Sequence, residues 1–348
     1  MATAAFAAVL TLLPTAAWAS LDPALQMALG NPDGAKADPG SRQHYLIQRP
    51  EYALSYNDDF RFPNWVGWHL SRQDIGDIER GQFKPDQTLP DGFTIVTPAD
   101  YNRSGYDRGH NCPSKDRTRT RKDNDSVFLM TNMTPQAHGL NAGPWEKLES
   151  YARDLAIQEK DDLFIYCGHG FTAPKHRSIG KAQVAVPDFG WKIVVVVPPG
   201  AGPAVRRITA TTRVIAVRMP NINTISRKDW REYRVSVADI EQATGFRFFD
   251  ALPASIAAQL KNRVDFDQSA PSRREKVEPI AGAPAAVPGD VPSAAPAPAG
   301  AMAAKVWVNT RSGAYWRPGT RYYGKTKEGK YLSEADAIKA GYHPAEGQ

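Results

Sequence analysis

An α+β domain is expected from residue 42 to residue 263, on three observations. First, LFIYC (163–167), QVAVP (183–187), WKIVVVV (191–197) and VIAVRMP (214–220) are short runs rich in β-branched residues, with Gly or Pro nearby. That length and punctuation favour buried strands over helices. Second, LIQRPEYALSYN and WVGWHLSR alternate apolar and polar residues in strand fashion. Third, two helices carry their own boundaries. Gly143-Pro144 opens PWEKLESYARDLAIQ, with Pro at the first helical position, where its missing N–H removes no hydrogen bond. Ser236 with Asp239 makes a capping box, and Gly245 stops that helix. Trp145, Leu148, Ala152 and Leu155 share one face of the first helix.

The flanks read differently. MATAAFAAVLTLLPTAAWAS has an apolar run from Ala4 to Leu13, too short to span a bilayer comfortably. It ends in Ala17-Trp18-Ala19, the form of an export cleavage site. Residues 1–19 are therefore read as a signal peptide, although the start lacks Lys and Arg, and the mature protein as secreted or periplasmic with no membrane attachment. Residues 20–41 are rich in Gly, Pro and Ala and are expected to be flexible. Residues 264–304 are Pro/Ala low-complexity sequence and read as a linker. Residues 305–348 regain strand alternation, turn glycines and a helix from Ser333 to Gly341, and read as a small α+β module.

An apolar content of 42% is enough for an ordinary core. The 43 Lys and Arg against 37 Asp and Glu leave a charge of +6. That excess predisposes the chain to anionic partners but names none. Two cysteines, Cys112 and Cys167, either pair or pack as small thiols; a domain this size needs no disulfide.

The stretch from 107 to 153 holds the parts that phosphodiester cleavage requires. A base must deprotonate water, and a histidine does so near neutral pH. A cation must hold the reacting oxygens, and Mg²⁺ accepts few protein ligands because it keeps most of its waters. Arginines grip phosphate with two hydrogen bonds. YDRGHNCPSKDRT (106–118) offers Arg108 and His110. Asn132 follows an apolar, strand-like run, and Asn141 stands just ahead of the helix. Trp145, Glu149 and Arg153 advance by about 40° per step on that helix, a slanted row leading away from Asn141.

These segments together resemble the DNA/RNA non-specific endonucleases of the ββα-metal (His-Me finger) type. YALSYN with PNWVGWHL is similar to that family's opening strands, YDRGHNCPSKDRT to its DRGH signature, and TNMTPQAHGLNAGPWEKLE to its Asn-rich strand-to-helix segment. VAVPDFGWKIVVV, VRMPN and DIEQATGFRFF resemble its C-terminal half, so the likeness covers about residues 44–253. DRGH alone is a weak signal; the segments in order are specific. The resemblance implies a ββα-metal finger on a central, mostly antiparallel sheet flanked by helices. It also implies Mg²⁺-dependent cleavage of DNA and RNA to 5′-phosphate products, with Mn²⁺ as a substitute metal.

Carried onto this chain, the resemblance makes His110 the general base and Asn141 the single protein ligand of the metal. Glu149 would orient metal-bound water, and Asn132 would orient His110 or the substrate. Arg108 and Arg153 would support the site and the phosphate. An upstream arginine should touch phosphate; Arg80 is the candidate and Arg103 its competitor. A histidine base must be neutral, so activity is expected to fall below about pH 6.5.

Other readings stand beside these. His110-x-Cys112 with Cys167-x-His169 is a tetrahedral zinc set on paper, but it would consume the base. Glu149 and Arg153 would otherwise be a plain i,i+4 surface pair. The run from Lys115 to Lys122, with Lys115 and Arg117 foremost, is either a solvated loop or a phosphate-binding surface that makes cleavage salt-dependent. In the C-terminal module Trp307, Tyr315, Trp316, Tyr322 and Tyr323 lie among basic residues. They form either a tiny core or a grip for single strands or a cell-surface polymer. A protein inhibitor is a further partner to consider. The rival functions are a nucleic-acid-binding protein with a spent site and a phosphodiesterase for smaller nucleotides.

Overall fold

The computed structural model describes residues 21–266 and, further on, 305–309, 314–317, 323, 329–340 and 342–345. The signal peptide and most of the expected linker lie outside the described residues. The chain divides into two units, residues 1–282 and 283–348.

The first unit is built on one antiparallel sheet. β1 (Tyr45–Gln48), β2 (Ala53–Asn57) and β3 (Phe62–Leu70) form a meander at its start. β4 (Asp107–His110) follows, then the short helix α1 (Arg121–Ser126), and β5 (Met133–Gln136) returns to pair antiparallel with β4. A turn, α2 (His138–Leu140), and an irregular stretch lead into α3 (Glu146–Asp154). β6 (Asp162–Gly170), the hairpin β7 (Arg177–Ile179) and β8 (Val184–Val186), β9 (Phe189–Val197) and β10 (Arg213–Pro220) come next. The main sheet runs β1-β2-β3-β6-β9-β10, and every pairing in it is antiparallel. α4 (Val237–Thr244) and α5 (Ala254–Lys261) close the unit. The Ser236–Asp239 capping box and the left-handed Gly245 stand where the sequence places them.

Both faces of the sheet are covered, which is why WKIVVVV has no polar alternation. On β9, Val194 and Val196 point into one core and Trp191, Ile193, Val195 and Val197 into the other. Trp145, Leu148, Ala152 and Leu155 of the α3 region cover the first face. Val237 and Ile240 of α4, with Ala257 and Leu260 of α5, cover the second.

Residues 21–41 differ from expectation, because they are tied down rather than flexible. Leu29 is buried in the second core. Asp33 accepts hydrogen bonds from Trp65 Nε1 at 2.8 Å and Ser55 Oγ at 2.6 Å. Gln26 bridges Pro50 O and His69 N. Composition missed this because the segment stabilises itself on the sheet, not by its own periodicity. The apolar run before Asn132 also departs from its expected strand form. Val127 caps α1, Met130–Asn132 is a 3₁₀ turn, and the strand begins at Met133.

In the second unit, β11 (Lys305–Val308), β12 (Ala314–Trp316), β13 (Lys330–Ser333), α6 (Glu334–Lys339) and β14 (His343–Pro344) are described. The sheet order is β13-β11-β12-β14. Val306, Val308, Tyr315 and Ala337 form its small core, and Tyr331 remains exposed. Tyr315 thus packs inward, while Tyr322 lies outside the described residues.

Candidate active site

β4, β5 and α3 are a ββα unit laid against the sheet. DRGH is β4 itself, paired Asp107↔Gln136 through His110↔Met133. Gly109 is needed there because a Cβ would come within 2.2 Å of Gln136 Oε1. Asn132 fixes the chain just after His110. Its Oδ1 accepts from Cys112 N at 3.0 Å, and its Nδ2 donates to Cys112 O and Val127 O. Asn132 is fully buried, so it holds the histidine's loop and does not reach substrate.

His110 is 8% exposed, with Phe128 edge-on at 4.8 Å and Phe83 at 5.4 Å. Its Nε2 is buried and has no hydrogen-bond partner among the described residues. Burial, reinforced by the Arg80 charge, pushes the imidazole pKa down to about 3. The acid limb expected at pH 6.5 is corrected accordingly: His110 stays neutral well below it. His169 is likewise pushed down to about 3, by burial and then Lys192. The unfolded chain takes up these protons near pH 6.5 and the folded one only near pH 3, so this stability is present above pH 6.5 and lost as pH falls. Activity is therefore expected to persist below pH 6.5, while chemical denaturation midpoints decline through the same window. An activity profile that halves at pH 6.5 would contradict the burial of His110.

Arg80 lies across the rings of Phe128, at 5.0 Å, and Phe83, at 5.7 Å. It has no ion pair or hydrogen bond among the described residues, and its charge is felt by both His110 and Glu149. Arg103, the competitor, is exposed in a left-handed turn with no such coupling to His110. Arg108 is committed elsewhere: it donates to Pro98 O and Asn102 Oδ1 and stacks over Phe83 at 5.2 Å.

Asn141 is oriented by Asp107, whose Oδ2 accepts from Asn141 Nδ2 at 2.9 Å. With the nitrogen spent, Oδ1 is the free end and has no donor on it among the described residues. The same Asp107 oxygen meets His138 Nδ1 at 2.8 Å. A neutral amide oxygen fixed in this way suits a hard cation that keeps its own waters. No group of three or more His, Cys, Asp or Glu side chains able to hold a metal occurs among the described residues. The zinc set fails on geometry as well. His169 Nε2 lies 2.9 Å from Gln136 Nε2, and both cysteines are buried free thiols, with Cys167 Sγ 3.5 Å from Asn111 Oδ1. The alternative of a disulfide is corrected by the same finding.

Glu149 and Arg153 are not the surface pair that their spacing allows. Glu149 binds Lys192 Nζ at 2.9 Å. Lys192 is 1% exposed and lies 4.2 Å from the Trp145 ring. Burial pushes the Glu149 carboxyl up, against the pull of Lys192 and Arg153. Arg153 is buried on Asp116 at 3.0 Å, which also takes Trp68 Nε1, so its guanidinium is not open to phosphate. Arg117 is a plain correction. It is 0% exposed, and Glu51 O, His69 O and Asp116 O use its donors, so no phosphate reaches it. Lys115 does face solvent, 3.5 Å from Glu146.

Sequence reasoning missed two residues here. Asp107 was in plain view as the first letter of DRGH. Lys192 had one signal, a lone charge inside WKIVVVV.

The sequence model of the DNA/RNA non-specific endonuclease family matches residues 30–255. The chain belongs to that family. This endonuclease is 44% identical over 243 residues to a Nuclease of Nostoc sp., covering 69% of this chain and 86% of that one. It is 31% identical to Nuclease C1 of Cunninghamella echinulata var. echinulata, over 64% of this chain and 89% of the relative. It is 32% identical to the mitochondrial Nuclease EXOG of Danio rerio, over 58% of this chain and 60% of the relative. Among solved structures it is similar to one described as the EndoG/EndoGI complex. The TM-score is 0.58 at 25% identity, covering 68% of this chain and 94% of that one. The endonuclease is thus a nucleic-acid hydrolase of a metal-dependent family with a central antiparallel sheet and flanking helices.

Proposed function

We propose that the protein is an exported, Mg²⁺-dependent endonuclease that cleaves DNA and RNA with little sequence preference, leaving 5′ phosphates. The observation that carries this reading is the pairing of a buried neutral histidine with an unpaired arginine beside it. His110 takes a proton from the attacking water. Arg80 holds a non-bridging phosphate oxygen, and the low dielectric around Phe83 and Phe128 strengthens that contact. Asn141 Oδ1 and Glu149 are the groups that would hold and surround the cation. When bound, Mg²⁺ would neutralise charge on the phosphate and leaving oxygen. Asp107 orients Asn141, the ligand-to-be, and Lys192 orients Glu149, which would hold metal-bound water.

Export rests on the Ala17-Trp18-Ala19 segment and is tested by N-terminal sequencing of the protein from culture medium or periplasm. An inhibitor protein is a proposed partner, since the similar structure is described as an inhibited complex. The catalytic reading is tested by incubating plasmid and RNA with protein, with and without Mg²⁺; failure to cleave either would sink it.

Arg80→Ala should raise KM for both substrates by roughly tenfold, the value of a charged hydrogen bond. The slope of log KM against log salt should also become shallower by about one phosphate contact. An unchanged slope would remove Arg80 from the phosphate.

A further inference from the structure

Beyond β6 the chain builds an aromatic cluster that the catalytic reading does not use. Phe171 lies 4.8 Å from Phe60 and 4.6 Å from His176, and His176 meets Phe60 edge-on at 5.6 Å. A cavity of about 370 Å³ opens among these three rings, with Thr172, Ala173 and Pro174 completing its wall. His176 is exposed, so one ring face is open to solvent.

The loop that walls the cavity carries charge of one sign. FTAPKHRSIGK (171–181) holds Lys175, Arg177 and Lys181 and no acid. Lys175 and Arg177 are exposed and form no ion pair among the described residues. The nearby Asp188 is occupied: it accepts from Thr172 N and Oγ1, both at 2.7 Å, which pins the start of the loop.

The cluster is also close to the catalytic end of the molecule. Arg177 stacks over Tyr106 at 5.9 Å, and Tyr106 immediately precedes the Asp107 that holds Asn141. A strand whose phosphate lies at His110 and Arg80 can therefore pass within reach of this loop.

We propose that Phe60, Phe171 and His176 form a subsite that stacks one unpaired base of the substrate strand, while Lys175 and Arg177 hold its phosphates. Open rings between unpaired cations are the usual platform for single strands, because every base has a stackable face. The bases of a duplex are already stacked on each other. The subsite therefore serves single strands, loops and frayed ends, and favours them over intact duplex. It rests on the reading of the neighbouring site as nucleolytic.

The test uses the full chain carrying His110→Ala, so that substrate is bound but not cut. A single-stranded oligonucleotide containing 2-aminopurine is titrated in, and stacking is read as quenching of its fluorescence. Quenching is expected, with His176→Ala and Arg177→Ser together weakening affinity roughly tenfold, as loss of one stacked base does. Phe171→Leu keeps an apolar side chain there but removes the aromatic face, and should weaken the quench in a folded protein. With His110 restored, the same changes should raise the ratio of single-strand KM to duplex KM about tenfold. Undiminished quenching and affinity in these variants overturns the subsite. So does an equal loss on single strand and duplex, which would leave the cations as general phosphate contacts. A wild-type protein that cuts nothing overturns the nucleolytic reading instead, and the quench still decides the subsite.

Discussion

Replacing His110 by Ala should lower kcat on plasmid and on RNA by about 10²–10⁴-fold, the range for losing a positioned general base. The fold should survive. Nε2 has no hydrogen-bond partner among the described residues, so removing the ring orphans no buried group there. The cost is packing against Phe83 and Phe128, and the melting temperature should show it as a modest fall. Free imidazole added to the reaction should restore part of the rate, which a purely structural defect would not allow. Cleavage at the wild-type rate by the variant would remove His110 from the chemistry.

Lys192→Met should be the most damaging change outside the groups that face substrate. Lys192 is 1% exposed, and Glu149 is its carboxylate partner at 2.9 Å. Removing the ammonium leaves Glu149 in a buried position that already pushes its carboxyl toward the neutral form. Breaking one half of a buried pair costs about 3–5 kcal/mol. For a domain of this size that is a melting-temperature fall on the order of 10 °C. The rate should fall as well, by roughly a hundredfold, because a neutral, reoriented Glu149 no longer supplies a charge at the site. The double variant Glu149→Gln, Lys192→Met should regain much of the lost stability but none of the lost rate. If Lys192→Met alone melts and cleaves as the wild type does, the pair has no role in either.

The two residues illustrate different kinds of legibility. His110 was readable because DRGH is followed, in order, by the segments that carry Asn132, Asn141 and Glu149, and together these resemble one family. For Asn141 and Glu149 the helix start and the helical repeat gave the placement, and the resemblance gave the roles. Lys192 was not readable in the same way. Its partner lies 43 residues away, and only the packing of α3 on β9 brings the two together.

Arg117 and Arg153 show the limit from the other side. Their residue type and neighbourhood suited phosphate, and a run of cations from 115 to 122 suggested one continuous surface. The fold divides that run. Arg117 turns inward to satisfy backbone carbonyls at Glu51 and His69, while Lys115 stays in solvent. Asn132 was expected to orient His110 or the substrate, and it does neither directly, because its amide is used on the backbone of Cys112 and Val127. Sequence position could not distinguish these outcomes, because each depends on which carbonyls and carboxylates the sheet brings near.

By itself the sequence determined the strands, the two capped helices, the chemistry-bearing residue types and their order along the chain. Those depend on short-range periodicity, capping and turn chemistry, which neighbouring residues largely decide. The tertiary structure alone decided which charges are exposed and which are consumed inside. It also decided that Leu29 and Ala35 belong to the core, and that Asp107 and Lys192 stand behind Asn141 and Glu149. The reason is physical: a buried charge or amide must find a partner, and the partner's address is set by sheet order and helix packing rather than by distance along the chain.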